Sequence, residues 1–203
     1  MIWNRHLELL ETSPHSVMSA SQNAWTNDSD EQFLERYKNF SAKEHGTFLH
    51  AKAAEDIKFG ISEGIFRPAN GKTYETYVND AIHYRMEVEQ PLVYNPYKET
   101  EPVAYATCDA ISFRRNLLRI HDLKTGKTPA KMKQLEVYAA YFCLEYNHKP
   151  GLINMEFRIY QNDTIFVMNK KNDPEIVEDV ARVMDQIKRK TEVIYKYLHM
   201  EEI

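Results

Sequence analysis

The sequence predicts an α/β fold, and two neighbouring patterns support this class. Residues 104–113 and 117–123 are rich in apolar and β-prone side chains, which is typical of paired strands. Residues 129–146, which follow them, carry apolar side chains at helical spacing instead. With 203 residues, 43% of them hydrophobic, the chain is long enough to bury a core as one domain with extensions.

The first part of the chain is predicted to be helical. Residues 1–12 carry apolar anchors, and residues 33–40 show a brief helical pattern. Thr47 is suited to cap a third helix that runs to about Ile61. His50 lies on an apolar face of that helix, and such a histidine is more often a hydrogen-bonded core residue than a metal ligand.

A further helix and a strand are predicted before the paired strands. Residues 73–84 carry an aromatic and aliphatic stripe at helical spacing, which favours core packing. Residues 85–90 alternate in polarity, and Pro91 is expected to end that strand. Glu87 or Glu89 could add an acid to a site on the sheet, but a solvated strand face explains them at least as well.

The paired strands carry the charged residues of most chemical interest. Residues 114–116 fit a turn, so Asp109 and Asp122, thirteen positions apart, fall on neighbouring antiparallel strands. Because side chains alternate along a strand, Asp122 and Lys124 project to the same side. Two carboxylates suit a hard divalent cation such as Mg²⁺, and a lysine beside them can orient a water or stabilise developing charge.

A helix, two strands and a last helix are predicted after these strands. Thr128 and Pro129 fit the cap and first position of a helix that runs to about Tyr146. On it Gln134 and Tyr138 are i, i+4 neighbours, and by themselves they indicate a surface glutamine and a core tyrosine. The remaining predicted elements are strands at 152–160 and 164–169 and a helix that opens at Asp173–Pro174–Glu175.

Charge and cysteine content limit the classes of function. The net charge of −4 argues weakly against nucleic-acid binding, but residues 114–133 hold seven basic residues and one acid, and a local positive field attracts phosphates. Cys108 and Cys143 are the only cysteines, which excludes a disulfide scaffold and a four-cysteine metal site. We therefore expect a reducing, cytoplasmic location, with no membrane span and no signal peptide.

Four short motifs together carry a resemblance to a known family. They are Gly46–Thr47–Phe48–Leu49–His50, then Asp109 on its strand, then Asp122–Leu123–Lys124–Thr125–Gly126, and last Gln134–Leu135–Glu136–Val137–Tyr138. In this order they resemble the G-T-x-x-H, D, D-x-K-T-G and Q-x-x-x-Y motifs of the RecB-like branch of the PD-(D/E)xK nuclease superfamily. A lone D-x-K is common, whereas the ordered set across residues 46–146 is a strong signal.

The resemblance implies a fold and a domain organisation. The fold would be a restriction-endonuclease-like core, with a central mixed β-sheet flanked by α-helices. Residues 46–170 would form this core, residues 1–45 an N-terminal helical extension and residues 171–203 a C-terminal helix.

The resemblance also implies roles for individual residues. The ligands of Mg²⁺ or Mn²⁺ would be His50, Asp109, Asp122 and the backbone carbonyl of Leu123, with Glu89 as a possible extra acid. An imidazole ligand suits Mn²⁺ better than Mg²⁺, so we expect a manganese preference. Lys124 would position or activate the attacking water, and Gln134 and Tyr138 would hold the scissile strand or the lysine. The residues expected to contact DNA are Arg114, Arg115, Lys127 and Lys131.

The expected function is a metal-dependent DNA nuclease, with an exonuclease acting on DNA ends in recombination, repair or phage DNA metabolism as the favoured form. A recombinase or a single-strand-binding protein is a possible partner. The chain lacks the clustered cysteines of the iron–sulfur members and has no P-loop, so it resembles the stand-alone members. The alternative is a non-catalytic DNA-binding or assembly subunit that retains the nuclease fold.

Overall fold

The structure is a computed structural model that describes residues 16–61, 71–97, 101–126 and 128–200. The helix predicted at 1–12, most of the loop before residue 71 and Lys127 lie outside the described residues. The chain forms two compact units, Met1–Phe48 and Leu49–Ile203.

The first long helix, α1, spans Asp30–Phe59 and follows a 3₁₀ helix at Ala20–Asn27. It begins with a capping box, because the Gln32 amide donates to Ser29 Oγ and the Ser29 amide donates to the Gln32 side chain. The prediction of separate helices at 33–40 and from Thr47 was therefore wrong. Thr47 does not cap a helix, since its hydroxyl donates to the Lys43 carbonyl within α1 at 3.1 Å.

Within the described residues, the sheet contains five strands in sequence order, and it is mixed. The strands are β1 (Glu87–Val93), β2 (Tyr105–Arg114), β3 (Leu117–Leu123), β4 (Asn154–Gln161) and β5 (Thr164–Asn169). All neighbours are antiparallel except β3 and β4, which are parallel. The β2–β3 turn is the predicted one, and Arg115 and Asn116 at its centre both have positive φ, as a tight hairpin turn requires.

The strand predicted to end at Pro91 instead runs to Val93, with Pro91 opposite Thr107. That prediction was wrong because β1 is an edge strand of the sheet. A proline in an edge strand can direct its missing N–H away from the ladder without losing a hydrogen bond to a neighbour.

Three more helices cover the sheet: α2 (Gly71–His83), α3 (Lys133–Glu145) and α4 (Ile176–Met200). One buried cluster joins α3 and α4 to the sheet through Leu135, Ala139, Phe157, Ile176 and Val180. A second joins α2 and the end of α1 to the sheet through Leu49, Ala53, Tyr77, Val78 and Tyr160. The predicted class, a central mixed β-sheet flanked by α-helices, is confirmed and is consistent with a restriction-endonuclease-like core.

Two predicted helix starts have different outcomes. The Asp173 side chain accepts the amide of Glu175, as the predicted cap would, but α4 itself begins three residues later at Ile176. The start of α3 at Pro129 was wrong, because this helix begins at Lys133. The backbone groups of Gly126, Thr128 and Ala130, which precede it, are instead hydrogen-bonded by the side chain of Gln161.

Candidate metal centre

The candidate site begins where the β2–β3 ladder ends. The last paired residues of that ladder are Ala110 and His121, so the next step of the register brings Asp109 opposite Asp122. At this position the Leu123 N–H donates to Asp109 Oδ2 at 3.3 Å, so a side-chain oxygen accepts the hydrogen bond instead of a backbone carbonyl of β2. The two carboxylates that the sequence placed on neighbouring strands are thus at the same level of the sheet.

Glu89 adds a third carboxylate at this level. Its neighbours Val88 and Gln90 pair with Ala110 and Cys108, which places Glu89 opposite Asp109 in the β1–β2 register. Glu89 has a φ of 48°, a left-handed conformation that is unusual for a strand residue with a side chain. Partial burial, and then the charge of Asp109, raise the pKa of Glu89. The predicted extra acid is therefore close enough to Asp109 to feel its charge.

His50 approaches Asp109 from the C-terminal half of α1. Its Nδ1 lies 3.2 Å from Asp109 Oδ2, the same oxygen that accepts the Leu123 amide. The hydrogen bond with Asp109 is the largest cause of a raised pKa of His50, and partial burial opposes it. The predicted ligand histidine and the first aspartate are therefore in direct contact.

Asp122 and Lys124 form an ion pair in a largely buried position. The Lys124 ammonium is 3.0 Å from Asp122 Oδ1 and 2.9 Å from Oδ2. The hydrogen bond is directed at Oδ1, which leaves Oδ2 buried without a well-directed donor. Burial, and next the charge of Asp109, raise the pKa of Asp122 to about 6, although Lys124 opposes this rise.

Two side chains of α3 extend the contact chain from Lys124. The Lys124 ammonium donates to Gln134 Oε1 at 2.7 Å, and Gln134 Nε2 donates to Tyr138 Oη at 2.7 Å. Burial raises the pKa of Tyr138 to about 12, so its hydroxyl remains neutral at physiological pH. Gln134 and Tyr138 thus lie on one face of α3, as their spacing predicted, and Gln134 contacts the lysine directly.

The basic residues predicted to contact DNA are only partly brought to this site. Arg114 lies at the opposite end of the β2–β3 hairpin, five strand positions or roughly 17 Å from Asp109, and Arg115 follows it in the turn. Lys131 is exposed just before α3, three residues before Gln134 in the sequence. Lys127 lies outside the described residues.

The donors present suit a hard divalent cation, although they are not arranged as a finished coordination sphere. In the described parts of the chain, no three His, Cys, Asp or Glu side chains form a group that could hold a metal ion directly. In the site itself, Asp122 is paired with Lys124 and Asp109 with His50. The buried Asp122 Oδ2, which lacks a directed donor, nevertheless has the chemistry of a metal ligand, because carboxylate oxygens are what Mg²⁺ and Mn²⁺ prefer.

Two residues near the site were missed by the sequence reasoning. Burial, and next the charge of Asp109, raise the pKa of Tyr77 on α2 well above its ordinary value. Its burial, at 3% exposure, agrees with the core packing predicted for residues 73–84. Gln161, which holds the segment after Lys124, carried no local signal in the sequence.

Comparison with known proteins adds no family to this picture. No protein-family model and no curated protein matches the chain. Within the described residues, no helix has the length and apolar character needed to cross a bilayer.

Proposed function

We propose that this chain is a divalent-metal-dependent deoxyribonuclease that hydrolyses phosphodiester bonds. The observation that carries the proposal is the alignment of Glu89, Asp109 and Asp122 across three adjacent strands, with an ammonium group held at one end. Acids in such a row concentrate negative charge that a divalent cation would neutralise. The four ordered motifs point to the same chemistry.

The metal would be held by Asp109, Asp122, the Leu123 carbonyl and His50, with Glu89 near enough to add a ligand. When bound, such an ion polarises a phosphate oxygen and lowers the pKa of a coordinated water. Until then Lys124 supplies the positive charge that stabilises the buried Asp122 carboxylate. A buried carboxylate needs such a partner to remain ionised.

Lys124 has the geometry to act on the substrate as well as on Asp122. An ammonium group has three N–H donors, and the hydrogen bonds to Asp122 and Gln134 use two of them. The third can donate to a phosphate oxygen or orient the attacking water. Tyr138 fixes Gln134, and Gln134 fixes the lysine, so these two residues set the direction of the remaining N–H.

The substrate proposed is DNA, and an exonuclease acting on DNA ends is the favoured form. Exposed Lys131 lies on the loop that leads to Gln134, where it can contact a phosphate next to the scissile bond. Arg114 and Arg115, at the far end of the hairpin, would contact DNA at a distance from the cleaved bond. An intracellular location and a recombinase or single-strand-binding partner complete the proposal.

The test is cleavage of end-labelled DNA by the purified protein with Mn²⁺, Mg²⁺ or EDTA. Substrates are single strands and duplexes labelled at the 5′ or the 3′ end, and a closed circle. Lys124→Ala should abolish metal-dependent cleavage, whereas Lys171→Ala, at an exposed lysine in the turn after β5, should not. The labelled products give the polarity, and an intact circle indicates that a free end is required.

One outcome would replace this proposal by the alternative. If the wild-type protein binds DNA but leaves it intact with every metal, the chain is a non-catalytic subunit with a retained metal set. Cleavage that survives both EDTA and Lys124→Ala would instead contradict the metal site itself.

A further inference from the structure

Gln161, the last residue of β4, connects to the segment after Lys124 at three points. Its Nε2 donates to the carbonyls of Gly126 at 2.6 Å and Thr128 at 2.8 Å, and its Oε1 accepts the amide of Ala130 at 3.0 Å. The side chain is only 3% exposed. Both N–H donors and the carbonyl oxygen of this amide are therefore used on one segment.

The position of Gln161 follows from the end of the parallel ladder. The last β3–β4 pair is Leu123 with Tyr160, and the Lys124 amide still donates to the Tyr160 carbonyl at 2.9 Å. After Lys124 the segment that follows β3 leaves the sheet, so its backbone N–H and C=O groups no longer have partners on β4. The Gln161 side chain supplies replacement partners, as partly buried backbone groups require.

The segment held by Gln161 lies between two residues of the candidate site that are hydrogen-bonded to each other. Lys124 precedes it and Gln134 follows it, and the ammonium of the first meets the side-chain oxygen of the second at 2.7 Å. Eight residues separate Lys124 from the start of α3, and those of them that the structure describes form neither helix nor strand. Without an anchor, an irregular segment of this length would let α3 and Lys124 shift relative to each other.

We infer that Gln161 is a positioning residue of the site, which fixes the path from Lys124 to α3 so that the Lys124 ammonium and Gln134 meet. It does not contact substrate, because it is buried beneath the segment that it holds. The inference rests on the proposed nuclease function for its effect on rate, but its structural part stands on these three hydrogen bonds.

Two substitutions separate the roles of the hydrogen bonds. Gln161→Glu keeps the size and the acceptor for Ala130, but it turns a carboxylate oxygen toward the carbonyls of Gly126 and Thr128. Gln161→Met keeps the approximate volume and removes all three hydrogen bonds. The matched control is Thr73→Ala, which removes two hydrogen bonds to Asp163 in the neighbouring β4–β5 turn and leaves the three hydrogen bonds of Gln161 in place.

The experiment measures steady-state cleavage of labelled DNA and amide hydrogen exchange across residues 125–134. Both Gln161 variants should lower kcat by about 10- to 100-fold, with KM for DNA changed by less than about threefold, because displaced catalytic groups cost rate rather than binding. Exchange over 125–134 should become faster in both. Thr73→Ala should alter neither, and folding of each variant is checked by its thermal transition.

Two results would overturn the inference: wild-type kcat in both Gln161 variants, or unchanged exchange across the segment. If the wild-type protein cleaves no DNA, the proposed function fails separately. Hydrogen exchange then still decides whether Gln161 orders the segment, because it requires no activity.

Discussion

Asp122 on β3 and Lys124, one residue past the end of that strand, contact each other through both carboxylate oxygens, at 3.0 and 2.9 Å. Only one of the two contacts is a well-directed hydrogen bond, and the carboxylate is fully buried. The charge of Lys124 therefore partly offsets the cost of burying Asp122, whose pKa burial raises to about 6.

The first prediction concerns the pH dependence of metal binding. Because a protonated imidazole and a protonated carboxylate are both poor ligands, affinity for Mn²⁺ should fall as the pH drops through the raised pKa of His50 and then through the Asp122 pKa of about 6. Below pH 6 the protonation of Asp122 alone should lower it by about tenfold per pH unit. Isothermal titration calorimetry with Mn²⁺ between pH 5 and pH 8 measures it. Asp122→Asn should bind weakly at every pH, and wild-type affinity that stays flat down to pH 5 would contradict the role of Asp122.

The second prediction concerns the contact between Gln134 and Tyr138. Tyr138→Phe removes the hydroxyl that accepts the Gln134 hydrogen bond and keeps the ring in place. We expect kcat to fall by about 10-fold with little change in KM, and the free energy of unfolding to change by about 1 kcal/mol. Tyr141→Phe, on the same helix but outside this contact chain, is the control. Equal activities of the two variants would mean that Tyr138 does not orient Gln134.

The third prediction concerns the choice of metal. His50→Ala should weaken Mn²⁺ binding more than Mg²⁺ binding, because an imidazole ligand favours Mn²⁺. The ratio of the two dissociation constants measures the effect directly. His45→Ala, an exposed histidine on the same helix, provides the comparison. If the ratio is the same in all three proteins, His50 is only the hydrogen-bonding partner of Asp109.

The fourth prediction concerns stability in acid, and it comes from His121, a buried residue of β3. Burial, then the charges of Arg158 and Arg119, lower the pKa of this fully buried histidine to about 3. Its Nδ1 lies 3.1 Å from the hydroxyl of Tyr160, which donates to Asp80 at 2.6 Å. The folded state therefore keeps this imidazole neutral where the unfolded chain would protonate it.

This difference in protonation determines how the free energy of unfolding changes with pH. The unfolded state binds the extra proton below a pH of about 6.5, so His121 reduces the free energy of unfolding by about 1.4 kcal/mol for each pH unit between about 6.5 and 3. The raised pKa values of His50 and Asp122 change the free energy of unfolding in the opposite direction. The contribution of His121 is therefore measured as the difference between wild type and a His121 variant. Urea titrations at pH 7 and pH 5 of wild type and His121→Asn measure it. Identical pH dependence in both would contradict a neutral, buried His121.

The sequence predicted the β2–β3 hairpin well because its signals are local. Alternation sets which side chains share a side, and the short turn at Arg115–Asn116 sets the register. From these alone Asp109 and Asp122 could be placed on neighbouring strands, with Lys124 beside Asp122. The i, i+4 spacing likewise placed Gln134 and Tyr138 on one face.

The rest of the site depends on contacts that are remote in sequence. Thr47 and Thr128 are good caps by local rules, yet α1 runs through the first, and the segment near the second is held by Gln161, more than thirty positions away. A glutamine at a strand end carries no signal for such a role. The left-handed conformation of Glu89 could not be predicted either, because nothing in its neighbours requires it.

Glu89 differs from the two aspartates in the mechanical support of its backbone. β2 and β3 are inner strands with neighbours on both sides, whereas β1 lies at the border of the sheet and has one neighbour. The row of acids thus combines two fixed members with a third whose backbone can adjust at little cost to the ladder. Position 89 is therefore the place where a single substitution can change the charge of the site while leaving the fold intact.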